Sequence, residues 1–385
     1  MVKDSYFRLQ FIVFALVAAA YTNMYLVQPV LPIMQTEFSA DMVTISFTTS
    51  FVILGMALSN LPAGLFADKL PIQPIILTGG ILVAVAGLIC AITENLWILI
   101  GARFIQGIFT PPLTACLAAY LAKTLPPSRI NIVLGSYVSA TVFGGMSSRL
   151  LGGWIHTAFH WRYAFVAASL FTLITTAIAV RSLPKASRRT EQQHDSTGFL
   201  QLLKRWELVR LFICTAGVYA IFSSIFNYLP YRLGEPSFAL STEITTMLYL
   251  VYIVGIFIGP IAGRINNRFG TGNVLIAGSF IMGGALAIIL LPSVTTFIIG
   301  LLGICTGFFT IHATAVGSLN RKLSSGQGRA NALYVLFYYI SGWMGITISG
   351  FAYKQGGWSA LVYLCMAILI IPLCAGIGER KSNNA

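Results

Sequence analysis

Twelve runs of about twenty apolar residues follow one another down this 385-residue chain. They lie at 10–33, 43–66, 73–92, 96–120, 130–155, 162–183, 209–232, 244–265, 273–292, 295–318, 329–353 and 358–378. At a rise of about 1.5 Å per residue, each run is long enough as a helix to cross a hydrocarbon core roughly 30 Å thick. Lipid offers the backbone no hydrogen-bond partners, and a helix satisfies its own. The chain is 57% hydrophobic and only 9% charged, against roughly 25% charged in soluble domains. The expected fold is an all-α membrane protein with twelve transmembrane helices, spans 1 to 12 in the order given.

The charge distribution tests this count. A net charge of +13 would suit nucleic acid if it were clustered, but it is dealt out by topology. Of 24 Lys and Arg, 19 fall in the two tails and alternate loops, while the opposite loops hold only Arg162, Arg232 and Lys354. That is the positive-inside bias, and it places both termini in the cytoplasm of a plasma membrane, the inner membrane in a bacterium. Lys3 and Arg8 before the first run resemble a signal peptide. The run is too long for a signal core, and it reads as span 1.

The longest polar stretch, 184–207, separates two six-span halves, 1–183 and 208–385. The halves echo each other at an offset of about 200. Gly107, Phe109, Thr110 and Ala115 recur as Gly307, Phe309, Thr310 and Ala315, and His160-Trp161 is echoed by Gly357-Trp358. Parallel repeats of this kind imply a substrate site near the midplane between pseudo-symmetric bundles, and access that alternates by rocking.

Span 5 carries Ser136, Ala140, Gly144, Ser148 and Gly152 at every fourth position, a smooth face along which a second helix can approach closely. Ser341, Gly345 and Ser349 of span 11 repeat it. With these residues the chain resembles the major facilitator superfamily over its whole length, most closely the twelve-span drug:proton antiporter and efflux branch. That branch's pattern, G-x8-G-x3-G-P-x2-G-G, is met by Gly135, Gly144, Gly152 and Gly153. Ser148 stands in place of the third glycine and Arg149 in place of the proline. Arg103, Gln106 and Gly107 match the R-x-x-Q-G signature of span 4. Gly64, Asp68 and Lys69 match the start of the loop signature after span 2, which then fails at Pro71, Ile72 and Gln73. The resemblance implies a role for Arg103 in proton coupling. It also implies a charge relay at Asp68 that locks one access state, weakened here by the missing basic pair.

Within the spans few groups can do chemistry. Arg103 stays charged at all relevant pH, so it either biases a neighbour, holds a gate, or is a structural residue bonded to carbonyls. Arg149 is a candidate anchor for an anionic or carbonyl-bearing substrate, or a gate residue. His312 is the one histidine inside a span and can carry a proton, or else sit neutral against a neighbouring helix. Asn23 and Gln28 of span 1, Asn227 and Tyr228 of span 7, and Tyr338 of span 11 complete a candidate cavity. Pro29 and Pro32 are expected to break span 1 near its outer end. All eleven acids fall outside the middle of the membrane. Coupling must then pass through His312, through an edge carboxylate such as Glu37 or Asp68, or be absent.

Two embedded arginines without embedded acids favour anionic or neutral polar substrates. The six cysteines lie in apolar runs without metal-ligand spacing, and no phosphate-cradling loop or nucleophile elbow occurs. The expectation is a proton-coupled exporter of a small organic molecule that acts as a monomer, with no enzyme activity, cofactor, metal or nucleic acid. Uptake of an anionic nutrient and a non-transporting sensor are the alternatives.

Overall fold

The computed structural model describes residues 2–125, 127–183, 198–323 and 325–384. Among the described residues there is no strand, and nine helices are long and apolar enough to cross a membrane. One of the nine, within Gln327–Asn384, is two helices joined at Gly356 and Gly357. Gly357 takes φ +63°, a conformation that only glycine adopts at little cost. Span 1 begins in the helix Val2–Thr22, and span 5 (130–155) lies within the helix Pro127–Ala158. Each of the twelve expected runs is thus mainly helical, span 1 with an interruption.

The chain divides into two compact units, Met1–Gln192 and Gln193–Ala385. In the first, span 1 packs on spans 5 and 6, and span 4 (Leu96–Leu113, continued as Ala115–Thr124) packs on spans 2 and 3. In the second, span 7 (Trp206–Gly234) packs on span 11, and span 9 (Thr271–Ile288) packs on span 10 (Val294–Arg321). Residues 198–207, inside the expected linker, include a short helix, Phe199–Lys204, whose Leu202 is buried in the second unit.

Span 1 breaks earlier than its prolines suggest. The helix stops at Thr22, and it resumes as a 3-10 turn at Gln28–Val30 and a helix at Leu31–Glu37. Pro29 has no N–H to offer the Tyr25 carbonyl. Gln28 N–H takes that carbonyl instead, at 3.1 Å, which tightens the turn and moves the break to residues 23–27. Those residues are buried, so their freed backbone groups need partners from elsewhere.

Candidate functional site

The first partner for the break is Arg103. Its side chain is fully buried, and Nε donates to Thr48 O at 2.8 Å while Nη1 donates to Asn23 O at 2.6 Å. Nη2 donates to Met24 O, and Nη1 also reaches Gln106 Oε1 at 2.6 Å. The R-x-x-Q spacing sets Arg103 and Gln106 one turn apart, where they close a single network. Asn23 completes it: Nδ2 donates to Ala19 O (2.9 Å) and Thr172 Oγ1 (2.8 Å), and Oδ1 accepts from Gln106 Nε2 (3.4 Å). No carboxylate pairs with Arg103 among the described residues. Its charge rests on carbonyl oxygens at the C-terminal end of a helix, which is where the macrodipole favours a cation. Gly107 serves the same region by packing. A Cβ there would strike Val52 O, so the glycine lets spans 2 and 4 cross at backbone distance.

The second partner is the small face of span 5, which lies against span 1 along its length. Gln10 Nε2 donates to Ser136 Oγ at 3.3 Å. A Cβ on Gly144 would fall 2.6 Å from Ala18 O, and one on Gly152 would strike Leu26 O. Between them, Tyr25 N–H donates to Ser148 Oγ at 2.8 Å. A glycine at 148, as the antiporter pattern has it, could not accept that bond. The serine therefore pairs with the break in span 1. Gly153 is buried, whereas a Cβ on the exposed Gly135 would meet nothing within 4 Å. Packing does not explain the glycine at 135.

Arg149 sits one residue further on and is 2% exposed. Its Nε donates to Gln28 Oε1 at 2.7 Å, Nη1 donates to Gly145 O, and the guanidinium lies 3.8 Å over the Tyr25 ring. Gln28 is also wholly buried, and its Nε2 has no hydrogen-bond partner. Arg149, Tyr25 and Gln28 thus gather a fixed charge, an aromatic face and an unused amide donor at one point of the first unit. Periodicity carried no signal for this meeting, because only the break swings Tyr25 and Gln28 onto span 5.

The second unit presents an aromatic cluster. His312 is half-buried on span 10, its Nδ1 bonded to Tyr334 OH at 2.7 Å and its ring parallel to Phe308, with centroids 5.6 Å apart. Tyr338 lies 5.3 Å from His312 and stacks on Tyr219 at 3.7 Å. Tyr228 OH donates to Ile346 O at 2.9 Å, and Asn227 beside it is buried. Tyr219 owes its place to Gly342, where any Cβ would strike the ring.

At the ends of the units the structure adds groups that the sequence hid. Glu379, one of the eleven acids expected outside the middle of the membrane, is 1% exposed and bonded to Arg210 and to Lys322 Nζ at 3.0 Å. Arg205 and Lys322 both face Glu207. At the other end, Glu37 accepts from Trp161 Nε1 (2.6 Å) and pairs with Arg162 (3.1 Å) and His160 (3.6 Å). Its counterpart Glu235 is bonded to Arg232 and to Tyr353 OH. Only the signs of loop charges hinted at these partners. Gly64, Asp68 and Lys69 close the helix Met42–Lys69, and their side chains lie outside the described residues.

Known proteins share this organisation. The chain is 26% identical over 384 residues to the inner membrane transport protein YnfM of Escherichia coli K12, covering 99% of this chain and 92% of that one. It is 25% identical to the MFS-type transporter YybF of Bacillus subtilis, covering 94% and 91%. A solved bacterial homologue of the human lysosomal transporter Spinster, in an inward-facing and occupied conformation, superposes with a TM-score of 0.77. That match has 14% identity and covers 98% of this chain and 96% of that one; at that identity it speaks for the fold alone. The family pattern described as Major Facilitator Superfamily matches residues 13–325. With twelve helical runs, repeated seams and a match over most of its length, the chain belongs to the major facilitator superfamily and is a multi-pass membrane transporter of that type.

Proposed function

We propose that this transporter exports a small organic molecule in exchange for protons. Bundles 1–183 and 208–385 rock about the linker 184–207, and both termini face the cytoplasm of a bacterial inner membrane. The protein acts as a monomer. The observation that carries the reading is the seam between spans 1 and 5. The glycines that match the antiporter pattern at 144 and 152 are points at which the span 1 backbone presses on span 5. His312, held by Tyr334, is the proton carrier. Arg103 positions the broken span, while Asp68 and Lys69 with Gly64 form a weakened lock at the cytoplasmic end. Arg149 and Gln28 bind the substrate, with Asn23, Asn227, Tyr228 and Tyr338 contributing to its surroundings.

The substrate class follows from charge. Arg149 is embedded in a chain that has no acid in the middle of any span, so the site selects anionic or neutral polar molecules over lipophilic cations. The same observation favours one second reading, uptake of an anionic nutrient in symport with protons.

Flux of a substrate panel in proteoliposomes, with and without an imposed pH gradient, separates the two. Movement against the proton flow establishes exchange, movement with it establishes symport, and indifference to the gradient excludes both. His312→Ala is expected to abolish the pH dependence of flux while the protein still reaches the membrane. Retained dependence moves the proton site to Glu37 or Asp68.

A further inference from the structure

Spans 8 and 9 of the second unit leave a groove between them, floored by Thr310 of span 10, with a volume of about 440 Å³. Span 8 contributes Ile258, Ile261, Ile265 and Phe269, and span 9 contributes Ile281. From Ile258 to Phe269 the groove follows eleven residues of span 8, or about 16 Å at the helical rise. That is about the depth of one leaflet, half of a hydrocarbon core of roughly 30 Å. The lining of the groove is almost wholly apolar, so a hydrocarbon chain lying along span 8 for the depth of one leaflet matches it in both length and polarity.

One end of the groove is basic. Arg268 lies three residues beyond Ile265, at the end of span 8 that carries the groove residue Phe269, and its guanidinium lies 5.3 Å from the centroid of that ring. Arg321, at the end of span 10, reaches across to Asn267 Oδ1 at 3.2 Å and Thr271 Oγ1 at 3.4 Å. Both partners are neutral. Among the described residues no carboxylate pairs with Arg264, Arg268 or Arg321, and the buried Glu379 is already held by Arg210 and Lys322. An apolar slot one leaflet deep with unpaired cations at its polar end has the charge and shape complement of one molecule class.

We propose that this groove binds an anionic phospholipid, with an acyl chain along Ile261 and Ile265 and the phosphate between Arg268 and Arg321. The site is separate from the transported substrate and does not depend on the direction or coupling of transport.

The test is native mass spectrometry of the purified full chain after exchange into phosphatidylglycerol or phosphatidylcholine with the same acyl chains. Each arginine near an anionic headgroup is worth about a fivefold preference. The wild type is therefore expected to retain phosphatidylglycerol at least about fivefold better than phosphatidylcholine. The double variant Arg268→Gln with Arg321→Gln should lose that preference while still retaining some lipid. Ile261→Trp, which fills the slot, should lose retention of both lipids. Thermal melting of each variant checks that it folds. Equal retention of the two lipids by the wild type overturns the proposal, as does a preference that survives the double variant. Unchanged retention in Ile261→Trp also overturns it, because the lipid then sits elsewhere. Retention of no phospholipid, or displacement of phosphatidylglycerol by inorganic phosphate alone, overturns it as well.

Discussion

Spans 1 and 5 in the first unit and spans 7 and 11 in the second meet through the same device, a glycine pressed on a backbone carbonyl. A Cβ on Gly144 would fall 2.6 Å from Ala18 O, and one on Gly345 would fall 2.7 Å from Ala220 O. One turn further, Ser148 Oγ accepts Tyr25 N–H, and Ser349 Oγ donates to Ser224 Oγ at 2.8 Å. Beyond that the seams diverge. The first is crossed by Arg149, and Arg103 of span 4 meets the same break in span 1, whereas the positions about 200 further on hold Gly303 and Gly350. The second is filled instead by Tyr219, Tyr228 and Tyr338. The cause is the backbone. Span 1 is broken at residues 23–27 and frees several carbonyls that need donors, while span 7 runs unbroken through Trp206–Gly234 and frees only Phe226 O, at Pro230, which Tyr249 OH serves at 3.1 Å. Embedded charge here follows from a local failure of the helix ladder, and the aromatic unit is what the same seam looks like without that failure.

The strongest way to break this comparison is Arg103→Ala. It leaves the carbonyls of Asn23 and Met24 and the Oε1 of Gln106 buried without their donor. At ~1–3 kcal/mol for each unsatisfied group, the expected loss is at least ~3 kcal/mol. Melting followed in detergent should fall by roughly 4–8 °C, and Arg103→Lys should recover only part of it because an ammonium cannot span three acceptors. A variant as stable as the wild type would show that the break satisfies itself and that the charge has another purpose.

The next test concerns what the seams share. Gly144→Leu and Gly345→Leu each force a side chain onto a carbonyl, and each is expected to cost ~1–3 kcal/mol or more. The two losses should agree, because the contact is the same. Gly135→Ala, where an added Cβ meets nothing, should be neutral or gain up to ~1 kcal/mol of helix propensity. A large loss at 144 with none at 345 would mean that only the first seam bears load, and the symmetry would be one of sequence alone.

A smaller effect is expected at Arg149→Lys. The guanidinium spans Gln28, Gly145 and the Tyr25 face at once, and a lysine offers a point charge in place of that planar fork. Binding of an anionic substrate should weaken by about tenfold, or ~1.4 kcal/mol, with little change in melting. Unchanged affinity would return Arg149 to a purely structural part beside Arg103.

How much of this was legible beforehand depends on the range of the interaction that set it. The twelve helices and the small faces of spans 5 and 11 repeat within one element, so composition and spacing expose them. Arg103 stood out as an embedded charge, and its bonds to backbone carbonyls were one of the readings open for it. Which carbonyls it would find was not readable, because Pro29 displaces the break by a turn through a 3-10 bond that no periodicity encodes. Glu379 was misleading for a related reason. It stands next to Arg380 and Lys381 in what looks like a charged tail, yet span 12 continues through it and buries it against Arg210 and Lys322. Those two partners come from distant parts of the chain, and a sequence read in order does not bring them together.

The smallest difference expected between the units is one of acid sensitivity at the ends that carry Glu37 and Glu235. Glu37 sits with Trp161, Arg162 and His160, and His156 lies next to this group, its ring 6.4 Å from that of His160. The matching Glu235 has Arg232 and Tyr353 and no histidine. Burial, and then the neighbouring His160, hold the His156 imidazole below its ordinary pKa of 6.5. In the unfolded chain that histidine takes its proton first, so lowering the pH through 6.5 pulls the equilibrium toward unfolding. The first unit should therefore lose stability between pH 7 and pH 5 through this group, and His156→Gln should remove part of the loss. Hydrogen exchange followed by mass spectrometry at the two pH values, corrected for intrinsic rates, reads each end separately. Faster opening near residues 156–162 at pH 5, slowed by the substitution and absent near 232–235, is the expected result. Equal acid response at the two ends would mean that the carboxylates themselves, which the units share, set the sensitivity.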